Sequence, residues 1–384
     1  MTKKSAGDLA PSTLAAQALG WTDEVTGAVT PSISVSTTFT RNSDYSAREN
    51  GTYLRDHGPT QKHAESLICE LEGGQDAFSF GSGLAACTAA FHALEKGDHV
   101  AVSAVIYHGV LSWLAHFAEQ RGIHYTLFDP GSLDSLADVL EATPTRLVWL
   151  ETPANPTWAV TDIRAACDLS HKYGALVAVD STVATPVLTR PIEFGADLVC
   201  HAATKYLNGH SDVLGGLLVT ADSSSPLWER IRLHRLYAGP MLGSLDAYLL
   251  VRGMRTLYLR VKKQSENALQ IARFLEQHPG VERVHYPGLE SDPGHEVARR
   301  QMQDGFGGML SILIPGGREE AIAVVKRAAV FKMATSLGGV ESLIEHRKTS
   351  ETDVTNTPQN LLRISVGIEF VDDLIDDLNQ MLRF

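Results

Sequence analysis

The chain has 384 residues, with 33 Lys or Arg and 45 Asp or Glu, so its formal net charge is −12. Apolar residues make up 44% and charged residues 20%, which is typical of a globular protein with a large core in two or three domains. An acidic chain without a dense Lys/Arg block is a poor ligand for nucleic acid, and no apolar run approaches the roughly 18 residues of a membrane span. We therefore expect neither a nucleic-acid nor a membrane partner.

The N-terminal residues and the cysteines indicate the cellular compartment. Asp8 and Pro11 interrupt any apolar run near the start, so no signal peptide is predicted. The four cysteines form no Cys-x-x-Cys motif; they are Cys69, Cys87, Cys167 and Cys200. We expect reduced thiols and a cytoplasmic protein.

The chain divides into three predicted regions. Residues 1–60 are rich in Ser and Thr and weakly periodic, and 31–43 are expected to be extended. This N-terminal arm has too few apolar positions for a core of its own, so it must pack on something else. Residues 61–244 are expected to form a large α/β domain, and residues 245–384 a smaller α/β domain.

Strands and helices alternate in the large domain. Residues 62–74 read as a helix that ends at a Gly pair. Helical patterns at 111–122 and 162–174 separate short runs that are apolar on both faces, as in strands buried between two layers. The predicted strands are HVAVSAVI, TRLVWLE, ALVAVDST and ADLVCHA. This alternation predicts a parallel sheet with helices on both sides.

The C-terminal region has a different pattern. A long helix is expected over about 245–278, ending before Gly280. The segments GGMLSILIP (307–315) and LLRISVGIE (361–369) are predicted to be strands of a smaller sheet, with helices between and after them.

Three segments of the large domain could carry chemistry. GSGLAACTAAFHALEKG (81–97) is a small turn that leads into a helix, where backbone N–H groups can bind an anion. It lacks the spacing of a Walker loop or a dinucleotide fingerprint, and a ligand-free helix cap is the alternative.

In the second segment, VAVDSTVATP (177–186), Asp180 ends an apolar strand, where ligands bind in open α/β sheets, although a turn residue is also possible there.

The third segment is VCHAATKYLNGHSDVLGG (199–216), in which Lys205 follows another strand. Its amine could form a Schiff base, or it could be an ordinary surface lysine. A phosphate turn, a strand-end Asp and a loop Lys, in that order, are the parts that pyridoxal 5'-phosphate needs. The turn binds the phosphate, the carboxylate keeps the pyridine nitrogen protonated, and the lysine binds the aldehyde.

The chain resembles the Cys/Met-metabolism, or trans-sulfuration, family of pyridoxal-phosphate enzymes from about residue 29 to its end. This family includes cystathionine γ-synthase, cystathionine γ-lyase, methionine γ-lyase and homoserine sulfhydrylases. The most specific segments are ETPANPTWAVTDI (151–163), ATKYLNGHSDVLGG (203–216), SLGGVESLIEH (336–346) and LRISVGIE (362–369). The resemblance implies the aspartate-aminotransferase-like fold (PLP-dependent transferase fold type I), with a mostly parallel seven-stranded sheet in the large domain.

The resemblance also implies a role for each matching residue. Lys205 would hold the cofactor and transfer protons, and Tyr107 would stack on the cofactor ring. The remaining cofactor-binding residues would be Ser82, Gly83, Leu84, Asn155, Asp180, Thr182 and Thr204. Tyr53 and Arg55 match a pair that reaches the phosphate of a neighbouring subunit, which implies a homo-oligomer, a dimer of dimers. The substrate-binding residues would be Arg363 and Ser336 for the α-carboxylate, with Asn155 and Glu341 beside them.

The chain departs from the family pattern at four places. Ala202 replaces the usual Ser before Ala-Thr-Lys, and Gly58 stands where the arm motif usually has Asn, after Asp56 and His57. His108-Gly109-Val110 replaces the usual Gly-Gly-Thr or Gly-Cys-Thr after the stacking tyrosine. Residues 347–352 (RKTSET) replace the usual Pro-Ala-x-x-Thr-His. These changes cluster where the substrate side chain would enter, so they leave the cofactor chemistry intact and the substrate open.

No metal site is predicted, because the 15 histidines form no cluster of ligand spacing. His210 and His346 are interpreted as structural.

The resemblance implies γ-elimination or γ-replacement on an L-amino acid, with Lys205 moving protons and Tyr107 or Tyr53 protonating the leaving group. Cystathionine-type chemistry is the first expectation, because an acidic pocket with Glu341 favours a distal cation and no cysteine stands near Tyr107. Alternatives are a canavanine γ-lyase, a methionine γ-lyase, a homoserine sulfhydrylase, an aminotransferase, and a non-catalytic cofactor-binding paralogue.

Overall fold

The computed structural model describes residues 9–48, 51–351 and 355–383. They form two compact units, one from the chain up to residue 94 together with 197–258, the other from 95–196 together with 259 onward. The domain boundaries predicted at residues 60 and 244 stay predictions. Among the described residues, no helix is both long and apolar enough to cross a membrane.

The large sheet has seven strands, as the predicted fold requires. They are β1 (Asp76–Phe80), β2 (His99–Ser103), β3 (His124–Phe128), β4 (Leu147–Glu151), β5 (Leu176–Asp180), β6 (Leu198–His201) and β7 (Gly216–Thr220). Their order is β1-β7-β6-β5-β4-β2-β3, with β2 parallel to β3 and β4, β4 parallel to β5, and β7 antiparallel to β1 and β6. Every residue of β2, β4 and β7 is buried, which explains why these strands are apolar on both faces. The α/β fold class is confirmed.

The described residues contain thirteen α-helices, in the alternation that the sequence predicted. They are α1 (Pro11–Gln17), α2 (Pro59–Glu72), α3 (Gly83–His92), α4 (His108–Arg121), α5 (Leu133–Ala142), α6 (Ile163–Lys172), α7 (Thr185–Leu188), α8 (Pro226–Ala238), α9 (Ser244–Met254), α10 (Leu257–Glu276), α11 (His295–Gln301), α12 (Arg318–Val325) and α13 (Val371–Met381). Helix α2 ends at Gly73 in the left-handed conformation, as its Gly pair predicted.

The single long helix predicted over 245–278 is wrong, because the chain breaks between α9 and α10. The Thr256 hydroxyl donates to the Gly253 carbonyl over 3.2 Å, a local bond that competes with helical hydrogen bonding. Gly253 is also in close contact with the backbone of Asn208, since a β-carbon at Gly253 would lie 2.3 Å from the Asn208 carbonyl oxygen. Helical periodicity continues across the break and therefore conceals it.

A second sheet, of five strands, lies wholly within the second unit. Its strands are β8 (Arg283–His285), β9 (Met309–Leu313), β10 (Lys332–Met333), β11 (Leu343–His346) and β12 (Leu361–Ser365), in the order β10-β11-β12-β9-β8. Apolar side chains of β9, β11 and β12 share one core with those of α10, α12 and α13. This core fixes β12, which carries Arg363, one of the predicted substrate residues.

After α1 and the 3-10 turn Ala18–Gly20, the described residues of the N-terminal arm form little regular structure. The segment 31–43 contains no strand, only an isolated bridge between Thr38 and Tyr53. Apolar side chains on the arm remain in solvent, with Val25 95%, Val29 78% and Val35 80% exposed. Such exposure is costly in water, so the arm has a surface that packing could still cover.

Two of the four cysteines lie close together, which the sequence did not indicate. The sulfur atoms of Cys87 and Cys200 are 3.4 Å apart, and both residues are buried and form no disulfide.

Candidate active site

The predicted phosphate turn lies between β1 and α3 in the first unit. Ser82 caps the helix, because its hydroxyl accepts from the Ala85 amide at 3.0 Å. The amides of Gly83 and Leu84 begin the helix and have no acceptor within it, so they can bind an anion. A β-carbon at Gly216 would lie 2.2 Å from the Ser82 carbonyl oxygen, so glycine there allows the turn to pack on β7.

Lys205 lies in the turn that follows β6, as predicted, and its amide donates to the Ala202 carbonyl at 3.0 Å. Thr204 braces this turn, since its hydroxyl donates to the Gly215 carbonyl at 3.2 Å and accepts from the Gly215 amide at 3.0 Å. Ala202 touches the phosphate turn, because a β-carbon at Gly83 would lie 2.5 Å from the Ala202 β-carbon. The first unit therefore brings Ser82–Leu84 and residues 202–205 together.

Tyr53 and Arg55 lie on the arm in the same unit and contact each other. Tyr53 is 45% exposed, and the Arg55 guanidinium stands over its ring at 5.1 Å from the centroid. Buried Arg235 anchors the backbone beside them, because its guanidinium donates to the carbonyls of Arg55 and Asp56 at 3.4 and 3.3 Å. The arm thus presents Tyr53 on an anchored segment.

In the second unit, Glu151 at the end of β4 organises two predicted residues. Its two carboxylate oxygens accept from the amide of Tyr107 at 2.6 Å and from the amide of Asn155 at 2.9 Å. Glu151 is also the register partner of Asp180 at the end of β5. Sequence reasoning missed this residue, although it begins the family-like segment 151–163.

The environment of Glu151 disfavours its charged form. Burial, followed by the negative charge of Asp180, raises the pKa of Glu151 from 4.5 to about 8, against the opposing effect of the two amide hydrogen bonds. Glu151 is therefore largely protonated at neutral pH. A possible sequence signal for Glu151 is that the predicted strands TRLVWLE and ALVAVD both end in an acidic residue. The sequence does not show, however, that these two strands are neighbours in the sheet.

Asp180 ends β5, as the sequence predicted, and Tyr107 immediately precedes α4. Asp180 is only 6% exposed, and one of its carboxylate oxygens accepts from the Thr182 amide at 3.0 Å. Tyr107 is 39% exposed at the start of α4, with its ring against the edge of the His108 ring at 4.8 Å. Burial, and then the charge of Arg347, lower the pKa of His108, so its imidazole is neutral at neutral pH.

Arg363 contacts Asn155 and Ser336 in the second unit. Its guanidinium donates to the Asn155 side-chain oxygen at 3.1 Å and to the Ser336 carbonyl at 2.9 Å, and it also pairs with Glu345. Ser336 has φ = 99°, a conformation that costs a non-glycine residue on the order of 1–3 kcal/mol. The surrounding contacts hold the Ser336 carbonyl toward the guanidinium.

Glu341 lies on a loop that hydrogen bonds fix at both sides. The Gln264 amide donates to the Gly339 carbonyl at 2.6 Å. The Ser342 amide and hydroxyl donate to the Glu369 carboxylate at 2.6 and 2.9 Å. Glu341 is therefore held on a rigid loop while its own side chain is only partly buried.

The two interpreted structural histidines have different surroundings. Both ring nitrogens of His346 have partners, the Thr349 hydroxyl and the Gln359 carbonyl, each at 2.6 Å. His210 is exposed, with Nδ1 2.8 Å from the Asn208 carbonyl oxygen. Hydrogen bonds within its own turn are what a structural residue makes.

Residues 12–383 match the family model described as Cys/Met metabolism PLP-dependent enzyme. The chain is 42% identical over 379 residues to a cystathionine gamma-synthase of Mycobacterium bovis, a match that covers 97% of this chain and 96% of the relative. It is 39% identical over 372 residues to a cystathionine gamma-lyase of Bacillus subtilis, covering 94% and 96%.

A solved structure shares the fold. The structure of a cystathionine gamma synthase from Xanthomonas oryzae pv. oryzae, in complex with aminoacrylate and cysteine, superposes with a TM-score of 0.93 at 37% identity. The match covers 97% of this chain and 98% of that one.

Proposed function

Since the chain belongs to the Cys/Met-metabolism family of pyridoxal-phosphate-dependent enzymes, we propose that it catalyses γ-replacement or γ-elimination of the cystathionine γ-synthase or γ-lyase type. The observation that carries the proposal is the buried Arg363 guanidinium, whose planar set of N–H donors matches the α-carboxylate of an amino acid. The loop that carries Glu341 belongs to the same compact unit. Its cofactor is pyridoxal 5'-phosphate, as in the rest of the family.

The residues present fit this cofactor. The open amides of Gly83 and Leu84 at the N-terminus of a ten-residue helix suit a phosphate, and Ala202, in the turn that carries Thr204 and Lys205, packs against Gly83. Ala202 removes one hydroxyl that relatives usually offer, but it leaves the backbone donors in place. Asp180 is a buried strand-end carboxylate, which suits a protonated ring nitrogen.

When bound, the cofactor withdraws electrons from the substrate's α-carbon and so makes its proton acidic. In this proposal, Lys205 would hold the cofactor covalently and would also move the proton at the α-carbon. Tyr107 would pack against the cofactor, and Asp180, Thr182 and Asn155 would orient it. A tyrosine hydroxyl, of Tyr107 or of Tyr53, donates a proton to the departing γ substituent.

Specificity would come from the far end of the pocket. Arg363, with Ser336 and Asn155, is assigned to the α-carboxylate common to all amino acids, so it does not discriminate among side chains. Glu341 is assigned to the distal group, where a carboxylate favours a cationic amine over a plain thioether. This supports cystathionine-type substrates over methionine.

A second candidate is canavanine γ-elimination, which would release hydroxyguanidine. It is supported by the replacement of the usual Pro-Ala segment by buried charged residues, with Arg347 and Glu351 both in ion pairs. An acidic site that binds a distal ammonium would also bind a distal guanidinium.

The test is a substrate panel with the products identified. We expect turnover of O-succinyl- or O-acetylhomoserine with cysteine to cystathionine, or of cystathionine to 2-oxobutanoate. Glu341→Ala should lower kcat/KM for the cationic substrate about tenfold or more, consistent with loss of a charge-assisted contact. Asp134→Ala, an acid in the first turn of α5, is the matched control. Methionine as the best substrate, with Glu341→Ala harmless, would contradict the acidic-pocket argument, and pyruvate from cystathionine would contradict γ chemistry.

The proposal includes a homo-oligomer, a dimer of dimers, in the cytoplasm. It is supported by the exposed apolar arm and by Tyr53, which lies 45% exposed beside Arg55. On this proposal Tyr53 and Arg55 complete the phosphate site of a neighbouring subunit. Four cysteines that form no disulfide suit a reducing compartment.

A further inference from the structure

Arg347 begins the segment in which the chain departs from its family, and it lies beside the substrate-carboxylate arginine. In the antiparallel pair β11–β12, Glu345 stands directly opposite Arg363, so their side chains meet. Arg347 follows β11 by one residue. All three are buried, with exposures of 3% for Arg347, 6% for Glu345 and 4% for Arg363.

Glu345 is shared between the two arginines. The same carboxylate oxygen, Oε1, contacts Arg363 and also accepts from Arg347 Nη1 at 3.1 Å. Its other oxygen accepts from the Ser350 hydroxyl at 2.8 Å. Arg363 thus already has a carboxylate partner before any substrate arrives.

Glu351 holds Arg347 in place. Arg347 Nε donates to its carboxylate at 2.7 Å, and the hydroxyls of Thr355 and Thr357 donate to its other oxygen. Burial alone would raise the pKa of Glu351, but those two hydroxyls and Arg347 hold it below its usual value. Glu351 therefore stays ionised, and the cluster contains two guanidinium and two carboxylate groups.

A substrate α-carboxylate would bring a third negative charge to this cluster. If Arg363 were the sole counter-ion of Glu345, its positive charge would be neutralised in a buried site, and the incoming carboxylate would meet a guanidinium with little net charge. A second guanidinium on Glu345 relieves this competition. The interaction is strong because the groups are desolvated.

Resting on the proposed function, in which Arg363 binds the α-carboxylate, we propose that Arg347 is a positioning residue that offsets the charge of Glu345 and so keeps Arg363 available to the substrate. Arg347 acts through Glu345 and does not itself touch the substrate. This role depends on the positive charge of Arg347 more than on the planar hydrogen-bonding geometry of its guanidinium, so Arg347→Lys should retain most of the effect.

The test measures ligand binding by the holoenzyme, separately from turnover. L-Alanine has the α-carboxylate but no γ leaving group, and L-alaninamide lacks the carboxylate. We expect Arg347→Met to weaken L-alanine binding tenfold or more in calorimetric titration while leaving L-alaninamide binding within about twofold. With a γ-substituted substrate, KM should rise and kcat should stay within about threefold.

Lys348→Met is the matched control, because Lys348 is the neighbouring cation and its amine donates to the Thr355 carbonyl at 2.8 Å. It should leave L-alanine binding unchanged. Adding Glu345→Gln to Arg347→Met should restore L-alanine binding to within about threefold of the wild type, because the competing charge is gone. A double variant as weak as Arg347→Met would overturn the charge-offset role, and so would wild-type affinity in Arg347→Met.

Two further variants keep the test decisive. If Arg347→Met does not fold, Arg347→Lys replaces it. Wild-type-like L-alanine binding then supports the proposal, and a tenfold loss contradicts it. Arg363→Met tests the underlying assignment. If it binds L-alanine normally, the proposed carboxylate site itself is wrong, whereas a loss there with normal binding in Arg347→Met refutes this inference alone.

Discussion

Glu151 gives the sharpest prediction that the structure offers about stability. Its pKa is raised from 4.5 to about 8 by burial and by the charge of Asp180, while its two oxygens accept from the amides of Tyr107 and Asn155. The folded apoprotein therefore holds this proton more tightly than the unfolded chain does. The stabilisation is fully present below about pH 4.5 and is lost as the pH rises through about 8.

The magnitude follows from the size of the shift. Each pH unit between the two pKa values removes about 1.4 kcal/mol, so the window from 4.5 to about 8 corresponds to a loss on the order of 5 kcal/mol. Glu151→Gln cannot ionise and should not show this loss. The glutamine presents an NH₂ group to one of the two amides, which costs about 1–3 kcal/mol at every pH. The variant should therefore be less stable than the wild type in acid and more stable in base.

Urea unfolding of the two apoproteins at equal concentration, across roughly pH 5 to 9, measures this difference. We expect the free energy of unfolding of Glu151→Gln, relative to the wild type, to rise by several kcal/mol over that range. Glu119→Gln, on the exposed face of α4, should show a pH-independent difference within about 0.5 kcal/mol. A constant difference for Glu151→Gln across the range would refute the raised pKa.

Two further predictions concern the cofactor. Lys205→Ala should lose the adduct that borohydride fixes to this lysine, and turnover should fall by about 10³-fold or more, whereas Lys62→Ala, at an exposed side chain of α2, should change neither. Full turnover with a fixable adduct in Lys205→Ala would show the assignment to be wrong. Arg55→Ala should release cofactor faster on dialysis, while Arg41→Ala, an arm arginine with a similar tyrosine contact, should not. A fully active monomer in sedimentation would contradict the shared site.

The sequence predicted the parts of the site that follow strand ends and helix starts. The turn into α3, Asp180 after β5 and Lys205 after β6 could be placed because short apolar runs with clear ends are readable from residue type alone. Arg363 could be placed in a strand for the same reason. Their roles came from the family resemblance, because periodicity carries no information about chemistry.

The features that sequence missed depend on which elements are neighbours. Glu151 becomes unusual only because β4 pairs with β5, so that two acids meet at adjacent strand ends. Glu345 gains its importance from the register of β11 and β12. The break between α9 and α10 depends on the close approach of Asn208 to Gly253. Each is a long-range packing fact, and local patterns do not encode it.

The same distinction explains why the reaction class is easier to assign than the substrate. Cofactor chemistry needs a few residue types at fixed places on strands and turns, and these survive as sequence motifs. Substrate affinity also depends on the balance of charge around Arg363, where Arg347 and Glu351 of the replaced segment bring opposite charges into one cluster with Glu345. A comparison at Arg347 alone would suggest one added positive charge, whereas its ion pair with Glu351 offsets that charge and Lys348 leaves the segment with a net charge of +1. On the proposed function, this cluster governs the affinity for the α-carboxylate, whereas Glu341 is assigned to the choice among side chains. The Arg347→Met and Glu345→Gln substitutions measure the first of these directly.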